Sequence, residues 1–165
     1  MTIDIHPSAF VSPFADIEDS IRGSRIVVGA NAFIDSFVKF KAAGGSGDIV
    51  IGAGSQINSG CVLYVGNGIS IGNSVLISAN CVLAPTNHRF DDANVSIQKQ
   101  GFKESKGGIR IGNDVWIGAL SVILDGSEIG DGCVVGSSSL VRGTLKPFGV
   151  FAGNPIKQIG TRKFE

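Results

Sequence analysis

Apolar residues recur at every sixth position along almost the whole chain, and this period limits the possible folds more than any other feature of the sequence. The residue four positions after each apolar residue is usually small, an alanine, serine or cysteine. A six-residue period is too short for a strand–helix–strand crossover, which needs a dozen or more residues. Each repeat is therefore predicted to be one short strand and one turn in a solenoid. The apolar positions are Ile5, Val11, Ile17, Val28, Ile34, Phe40, Ile51, Ile57, Leu63, Ile71, Ile77, Leu83, Ile111, Ile117, Ile123, Ile129, Val135 and Val141.

The repeat is interrupted in four places, and each interruption follows a set of three repeats. This spacing predicts three faces per coil, with every insertion leaving from the same corner. We therefore expect an all-β parallel helix of about six three-faced coils over residues 1–146, with a long loop at 89–110 leaving coil four. A short C-terminal segment, 147–165, follows the coils. The steps longer than six run from 17 to 28, from 40 to 51, from 63 to 71 and from 83 to 111.

Composition and charge exclude several classes of protein. No stretch approaches eighteen apolar residues, so no membrane span is expected. The first residues lack the basic and apolar regions of a signal peptide, which favours the cytoplasm. The net charge of zero does not indicate a nucleic-acid partner. Basic residues are concentrated in 141–165, however, and this concentration predicts an anion near the C-terminal end.

The three cysteines of the chain fall on the small, inward-facing position of the repeat. We interpret Cys61, Cys81 and Cys133 as reduced thiols of the core rather than as nucleophiles. Cys61 and Cys81 occupy the same face in successive coils, and a strand spacing of about 4.8 Å would also permit a disulfide between them.

Several stretches of the chain resemble those of one enzyme family. The segments IGNSVLISANCVL, IRIGNDVWIGA and FAGNPIK are similar to those of the maltose and galactoside O-acetyltransferases and their relatives in surface-polysaccharide biosynthesis, all hexapeptide-repeat acyltransferases. The resemblance implies a left-handed parallel β-helix, although general rules for parallel crossovers would favour the right hand. It also implies acetyl-CoA as the donor, no metal, and a homotrimer with its active sites between chains.

His88, in the stretch APTNHRF, ends the last repeat before the long insertion and therefore lies at the corner from which that loop departs. A lone histidine at a solvated corner is usually an ordinary surface residue. The catalytic histidine of the family stands at this place, however, and imidazole can accept a proton near neutral pH. The resemblance thus identifies His88 as the general base. His6, the other histidine, lies three coils away, about 14 Å by strand spacing.

The number of histidines also excludes a zinc enzyme of related fold. Hexapeptide-repeat carbonic anhydrases bind zinc through three histidines, and this chain has two.

Two other residues are candidates for the catalytic centre. The family has an asparagine at the position of Asn80 that contacts the acceptor or the developing oxyanion, although an asparagine in a tight turn is an equally simple interpretation. Counting in sixes places Glu128 one coil above His88, where a carboxylate could orient the imidazole. A solvated acidic residue is the plain alternative for Glu128, and Asp91 and Asp92 are other candidates for the orienting role.

The resemblance also assigns residues to the donor. Trp116, interpreted as a corner residue, would pack beside the pantetheine arm of CoA, and a cluster of basic residues would contact the phosphates. The residues that match backbone contacts to pantetheine are Gly118, Ala119, Gly136 and Ser137, and the basic cluster is Arg142, Lys146, Lys157 and Arg162.

These observations predict an acetyl-CoA-dependent O-acetyltransferase that acts on a sugar hydroxyl, in the biosynthesis of a capsule or O-antigen polysaccharide. Two alternatives remain open: an N-acetyltransferase acting on an amino sugar carried by a nucleotide, and a non-catalytic β-helix scaffold. The loop from Arg89 to Gly108 is expected to line the acceptor site. Its candidate contacts are Phe90, Phe102, Gln98 and Gln100.

Overall fold

The computed structural model describes residues 2–163, so the predicted C-terminal segment is described except for its last two residues. Over this range the chain winds through three sheets in turn, which we call A, B and C, with strands numbered in chain order. Sheet A contains β1 (Thr2–Ile5), β4 (Arg25–Val28), β7 (Ile49–Ile51), β10 (Ile69–Ile71), β13 (Ile109–Ile111), β16 (Ser127–Ile129) and β19 (Thr144–Leu145). Sheet B contains β2 (Phe10–Val11), β5 (Phe33–Ile34), β8 (Gln56–Ile57), β11 (Leu76–Ile77), β14 (Trp116–Ile117), β17 (Val134–Val135), β20 (Gly149–Ala152) and β21 (Lys157–Thr161). Sheet C contains β3 (Asp16–Ile17), β6 (Lys39–Lys41), β9 (Val62–Tyr64), β12 (Val82–Ala84), β15 (Val122–Leu124) and β18 (Leu140–Val141).

The predicted all-β solenoid of about six three-faced coils is confirmed. Neighbouring coils pair in parallel within each sheet, and every predicted insertion leaves between sheet C and sheet A. Strands β19 and β20 add two faces of a further coil that the six-residue count does not reach. Leu145 is in register with Ile129, and Phe151 with Val135. These partners are sixteen residues apart instead of eighteen, so the period breaks after Val141.

The core is a stack of inward-facing aliphatic side chains. In sheet B, Ile57, Ile77 and Ile117 lie in register on successive coils, and all three are buried. Branched side chains suit this pleated environment, and burial of each contributes about 1.5–3 kcal/mol. Every coil therefore needs an apolar residue at the same point of its turn, which is the physical cause of the six-residue period.

The corner between sheets A and B is closed by a ladder of side chains. The side-chain oxygen of Asn73 accepts from the backbone N–H of Ala53 at 2.8 Å, and that of Asn113 accepts from the N–H of Asn73 at 2.9 Å. Asp131 extends the ladder by accepting from the N–H of Asn113. A glycine precedes each acceptor because the coils approach closely here: a Cβ on Gly72 would lie 2.5 Å from the carbonyl oxygen of Gly112.

Removal of one step of this ladder should lower the stability of the fold. Asn113→Ala removes the acceptor for the Asn73 N–H and a hydrogen bond to Asp131, so we expect the free energy of unfolding to fall by about 1–2 kcal/mol. Urea denaturation measures this loss.

Asn58→Ala is the matched control. Asn58 also follows an inward-facing isoleucine, but among residues 2–163 its side chain makes no hydrogen bond. We expect this variant to lose less than about 0.5 kcal/mol. An equal loss in both variants would contradict a stabilising role for the ladder.

Candidate functional site

The long insertion between β12 and β13 folds back on itself next to His88. His88 pairs with Phe102 in an isolated antiparallel bridge. On either side of it, Arg89 donates its N–H to the carbonyl of Gly101 at 2.9 Å, and Lys103 donates to that of Asn87 at 2.7 Å. The loop is therefore a hairpin at its base, with the short helix α1 (Ile97–Gln100) near its tip.

Aromatic packing holds the imidazole of His88. The rings of His88 and Phe102 lie 4.6 Å apart between centroids, at an interplanar angle of 36°. The His88 side chain is exposed, and its ring nitrogens form no hydrogen bond to any residue from 2 to 163. The nitrogens are thus available to a ligand while one ring face is covered. Phe102 was expected only as an acceptor contact, because an antiparallel pairing across a loop leaves no periodic signal in the sequence.

Glu128 does not lie above His88, and the predicted register is wrong at this point. Glu128 is in β16, opposite Arg110 of β13, and the Nε of Arg110 donates to its Oε1 at 3.1 Å. The six-residue repeat that begins at Leu83 ends at His88, but the chain leaves the solenoid there and returns to sheet A only at Ile109. The strand beneath β16 therefore comes from the far side of the insertion.

The alternative carboxylates also have partners within the loop. Lys103 Nζ lies 3.3 Å from Asp91 Oδ1, and Asp92 Oδ1 accepts from the backbone N–H of Asn94 at 2.9 Å. Gln100, expected at the acceptor, instead donates its amide to the carbonyls of Asp92 and Val95. These contacts give the loop its internal structure.

Asn80 lies at a different corner from His88. It occupies the turn between sheets B and C, in the left-handed backbone region at φ 59°, and its N–H donates to the carbonyl of Ser59. Residues 81–85 run along sheet C between the two corners, which is about 16 Å at 3.3 Å per extended residue. The structure does not bring Asn80 and His88 together within one chain.

Trp116 lies on the outer face of sheet B rather than at a corner, which corrects its predicted position. It is in register with Leu76 and Val134, and its indole is about half exposed. Nε1 donates to Ser78 Oγ at 3.1 Å, which fixes the plane of the ring. A flat apolar surface is thus presented next to the B–C corner that carries Asn80.

The four small residues assigned to pantetheine stack at this same B–C corner. Gly118 and Ala119 belong to coil five, and Gly136 and Ser137 lie directly beside them in coil six, where Ala119 accepts from the N–H of Ser138. A Cβ on Gly118 would come within 2.5 Å of the Ser137 nitrogen. Within the described part of the chain, the N–H groups of Ala119 and Ser137 have no acceptor. This edge can therefore donate hydrogen bonds to a ligand.

The predicted cluster of basic residues is spread over several parts of the molecule. Arg162 is held at the A–B corner, where its Nη1 donates to Asp114 Oδ2 at 2.7 Å and to the carbonyl of Gly132 at 3.1 Å. Arg142 follows β18 at the C–A corner, whereas Lys157 begins the antiparallel strand β21. Lys146 lies between β19 and β20. The four cations do not form one site within the chain.

The cysteines lie in the core, as predicted. All three are free and buried, and Cys61 donates to the carbonyl of Ser78 at 3.1 Å. A hydrogen bond with Cys81 raises the pKa of Cys61, and burial raises the pKa of Cys133. The same bond lowers the pKa of Cys81, but this sulfur is fully buried and has no access to a substrate. None of the three thiols is accessible enough to act as a nucleophile.

Asp125, in coil five, anchors the loop, and the six-residue repeat does not reveal this role. It is a nearly buried carboxylate at the C–A corner, and it accepts from the N–H groups of Lys106 and Gly108 at 2.8 and 3.0 Å. Asn67 Nδ2 donates to it at 3.2 Å. It therefore ties the returning arm of the loop to coil five. The sequence contains one indication of this role: Asp125 is an acidic residue at a position where the preceding coil has the buried Pro85.

Comparisons with known proteins agree with this architecture. The family model described as bacterial transferase hexapeptide (six repeats) matches residues 108–143. The galactoside O-acetyltransferase of Escherichia coli K12 is 34% identical over 142 residues, which are 86% of this chain and 66% of that enzyme. A probable acetyltransferase of Mycobacterium tuberculosis is 37% identical over 115 residues, which are 70% of this chain. The chain spans only 36% of the length of that mycobacterial relative.

Among solved structures, an N-acyltransferase from Bacillus cereus, in complex with dTDP-4-amino-4,6-dideoxyglucose and coenzyme A, superposes with a TM-score of 0.81. The two chains are 26% identical, and the alignment covers 98% of this chain and 84% of the other. Between residues 2 and 163, no helix is long and apolar enough to cross a membrane.

The anchoring role of Asp125 can be tested directly. Asp125→Ala leaves the N–H groups of Lys106 and Gly108 without their acceptor, so we expect an unfolding free energy lower by about 1–3 kcal/mol. Hydrogen exchange should accelerate at these two amides.

The control is Glu104→Ala, which removes a neighbouring acid that accepts no hydrogen bond from residues 2–163 and should leave both quantities unchanged. Unchanged exchange at Lys106 and Gly108 in Asp125→Ala would refute the anchor.

Proposed function

The chain belongs to the hexapeptide-repeat acyltransferase family of enzymes, and we propose that it transfers an acetyl group from acetyl-CoA to a sugar hydroxyl, with His88 as the general base. The main observation behind this proposal is the structural environment of His88. Its imidazole is exposed at the base of the long insertion, one face is packed on Phe102, and its nitrogens are without a partner among the described residues. A group in this setting can take a proton from a bound acceptor.

The chemical steps follow from the groups present. The imidazole of His88 removes the proton from the acceptor hydroxyl as the oxygen attacks the thioester carbonyl. The tetrahedral intermediate carries a negative oxygen, which a fixed amide donor such as Asn80 would stabilise. Collapse of the intermediate breaks the carbon–sulfur bond, and the imidazolium returns the proton to the departing thiolate of CoA. No acyl-cysteine is required, which agrees with the burial of all three thiols.

The donor is proposed to lie along the B–C corner. Trp116 offers an exposed ring face there, and the free N–H groups of Ala119 and Ser137 suit the amides of the pantetheine arm. Solved neighbours of this fold hold CoA or acetyl-CoA, which supports the choice of donor. For the phosphates, Lys146 and Lys157 are more available than Arg162, because Arg162 already has an ion pair with Asp114. Arg142 lies at the C–A corner, away from this donor surface.

The active site is proposed to form between chains. His88 lies at the C–A corner and the proposed donor residues lie at the B–C corner, on the far side of sheet C. A catalytic site needs both sets within a few ångströms. If the C–A corner of one chain meets the B–C corner of the next, a ring of three chains closes with three equivalent sites. This homotrimer reconciles the separation within the chain with a single reaction centre.

The acceptor class has two candidates. A sugar hydroxyl, in the assembly of a capsule or O-antigen polysaccharide in the cytoplasm, is the first, and the galactoside O-acetyltransferase relative supports it. The second is the amino group of a nucleotide-linked sugar, which the complex of the Bacillus cereus N-acyltransferase favours. His88 would serve as base for either. A non-catalytic scaffold would differ from both, because acetyl-CoA would not raise its melting temperature.

Substitution of the proposed base should stop the reaction without unfolding the protein. His88→Ala removes an exposed side chain outside the core, so acetyl transfer should fall by roughly 10²–10⁴-fold while the melting temperature and acetyl-CoA binding change little. Steady-state kinetics, calorimetry and a thermal melt provide the three measurements.

His6→Ala is the control for loss of a histidine. His6 lies in coil one, where its Nδ1 contacts Ser8 Oγ, and this variant should keep nearly full activity. Normal turnover by His88→Ala would exclude the mechanism.

Complementation tests the site between chains. His88→Ala and Trp116→Asp should each be inactive, but subunits mixed and reassembled should regain activity, because one chain supplies the base and its neighbour the donor surface. Random assembly leaves about one quarter of the sites with both groups intact. His88→Ala subunits that are dissociated and reassembled alone give the background rate. Absence of recovery, with mixed trimers demonstrated by native mass spectrometry, would show that each site belongs to a single chain.

A further inference from the structure

A cavity of about 320 Å³ lies between the loop and coils five and six, on the same corner as His88. Asn87 and Phe90 line it from the outgoing arm of the loop, and Lys103 and Lys106 line it from the returning arm. Arg142 of coil six closes the far side. Asn87 directly precedes His88, so the cavity and the proposed base share the same base of the loop.

Some of the cationic side chains around this cavity have a partner and others do not. The side chains of Lys106 and Arg142 have neither an ion pair nor a hydrogen bond among the residues that the structure describes. Lys103 has partial compensation, since its Nζ lies 3.8 Å from the centre of the Phe90 ring and 3.3 Å from Asp91. Two cations therefore face the cavity without an anion.

Two carboxylates also line this cavity, and they do not neutralise those cations. Asp125 is occupied by the three donors that anchor the loop, and two of these are backbone amides. Glu104 is exposed and forms no ion pair in the described structure. Because Lys103 is paired with Asp91 and Asp125 is committed to the loop, the charged groups of the lining that are left for a ligand are Lys106, Arg142 and Glu104, two cations and one anion.

We propose that this cavity binds a phosphate group of the acceptor, so that the enzyme acts on a phosphorylated sugar or a sugar nucleotide rather than on a neutral sugar. This inference rests on the proposed function, since it places the acceptor next to His88. The guanidinium of Arg142 can bind two phosphate oxygens in parallel, and Lys106 adds a mobile point charge. Asn87 supplies an uncharged donor from the residue before the base.

Position and size favour the acceptor over the donor. Within one chain, the proposed pantetheine contacts lie at the B–C corner, whereas this cavity is built by the proposed acceptor loop at the C–A corner. In the proposed trimer the donor surface of the neighbouring chain meets this corner, so the size of the cavity is the deciding argument. Its volume is at the lower limit of sites for drug-sized ligands, which suits a phosphosugar and is too small for a whole CoA molecule. Specificity also resides mainly in loops carried by a rigid scaffold.

The first experiment measures binding alone, with inorganic phosphate as the probe. Calorimetric titrations compare the wild-type chain with Lys106→Gln and Arg142→Gln, and each variant should weaken phosphate binding by about tenfold, since each removes one charge-assisted contact. The matched control is Lys99→Gln, which removes a cation from helix α1 of the same loop but outside this cavity. Equal phosphate binding by the wild type and both cavity variants would overturn the proposal.

The second experiment identifies the source of the phosphate. Galactose and galactosamine are each tested as acceptors with and without a 1-phosphate, and the phosphorylated member should have a kcat/KM at least about tenfold higher. Lys106→Gln should remove this preference, whereas Lys99→Gln should retain it. If Lys106→Gln instead weakens acetyl-CoA but not its 3′-dephospho analogue, the cavity belongs to the donor and the proposal is wrong.

The two experiments separate this inference from the proposed function. If none of these sugars is acetylated, yet phosphate binding depends on Lys106 and Arg142, the anion site stands and the proposed reaction is contradicted. If acetylation depends on His88 but is indifferent to the phosphate, the reaction stands and the anion site is contradicted.

Discussion

Parallel backbone pairing between successive coils is the interaction on which the rest of the structure depends. Each strand satisfies the peptide groups of the coil before it, so the register of one coil is imposed on the next. An extra residue inside a strand would break this ladder, and extra residues are therefore confined to corners. The chain uses one corner for all its long insertions, and His88 with the side chains of the longest loop lies there.

The same constraint explains how much the sequence could predict. Inward-facing residues such as Ile77 and Ile117 were predictable because every coil must place an aliphatic side chain at the same point. Two faces of the last coil were not predictable, because Leu145 and Phe151 follow their partners in the previous coil by sixteen residues instead of eighteen. Glu128 shows a second limit of prediction from the repeat. The repeat pattern does not show where the backbone leaves the solenoid for an insertion, and the neighbour of Glu128 in the adjacent strand is therefore Arg110.

The sequence supplies candidate residues for the site but not their arrangement in space. Resemblance identified His88, Asn80 and Trp116 from short local stretches, and the structure assigns His88 to one corner and the other two to another corner and face. Contacts that hold the loop involve residues distant in sequence, such as Asp125 with Asn67, and follow no period. Local pattern therefore supplies candidates for the chemistry, whereas the packing around them follows from contacts between residues far apart in the sequence.

The paired base of the loop has a consequence for how such an enzyme can diversify. Because the pairing around His88 and the Asp125 anchor close both ends of the insertion, residues 91–100 at its tip lie between two fixed ends. Under the proposed function, mutations in this tip would change the walls around the acceptor while the solenoid and the proposed base keep their geometry. Selection for a new acceptor would then act on the tip at little cost to the coils, so that one scaffold could give rise to a series of transferases.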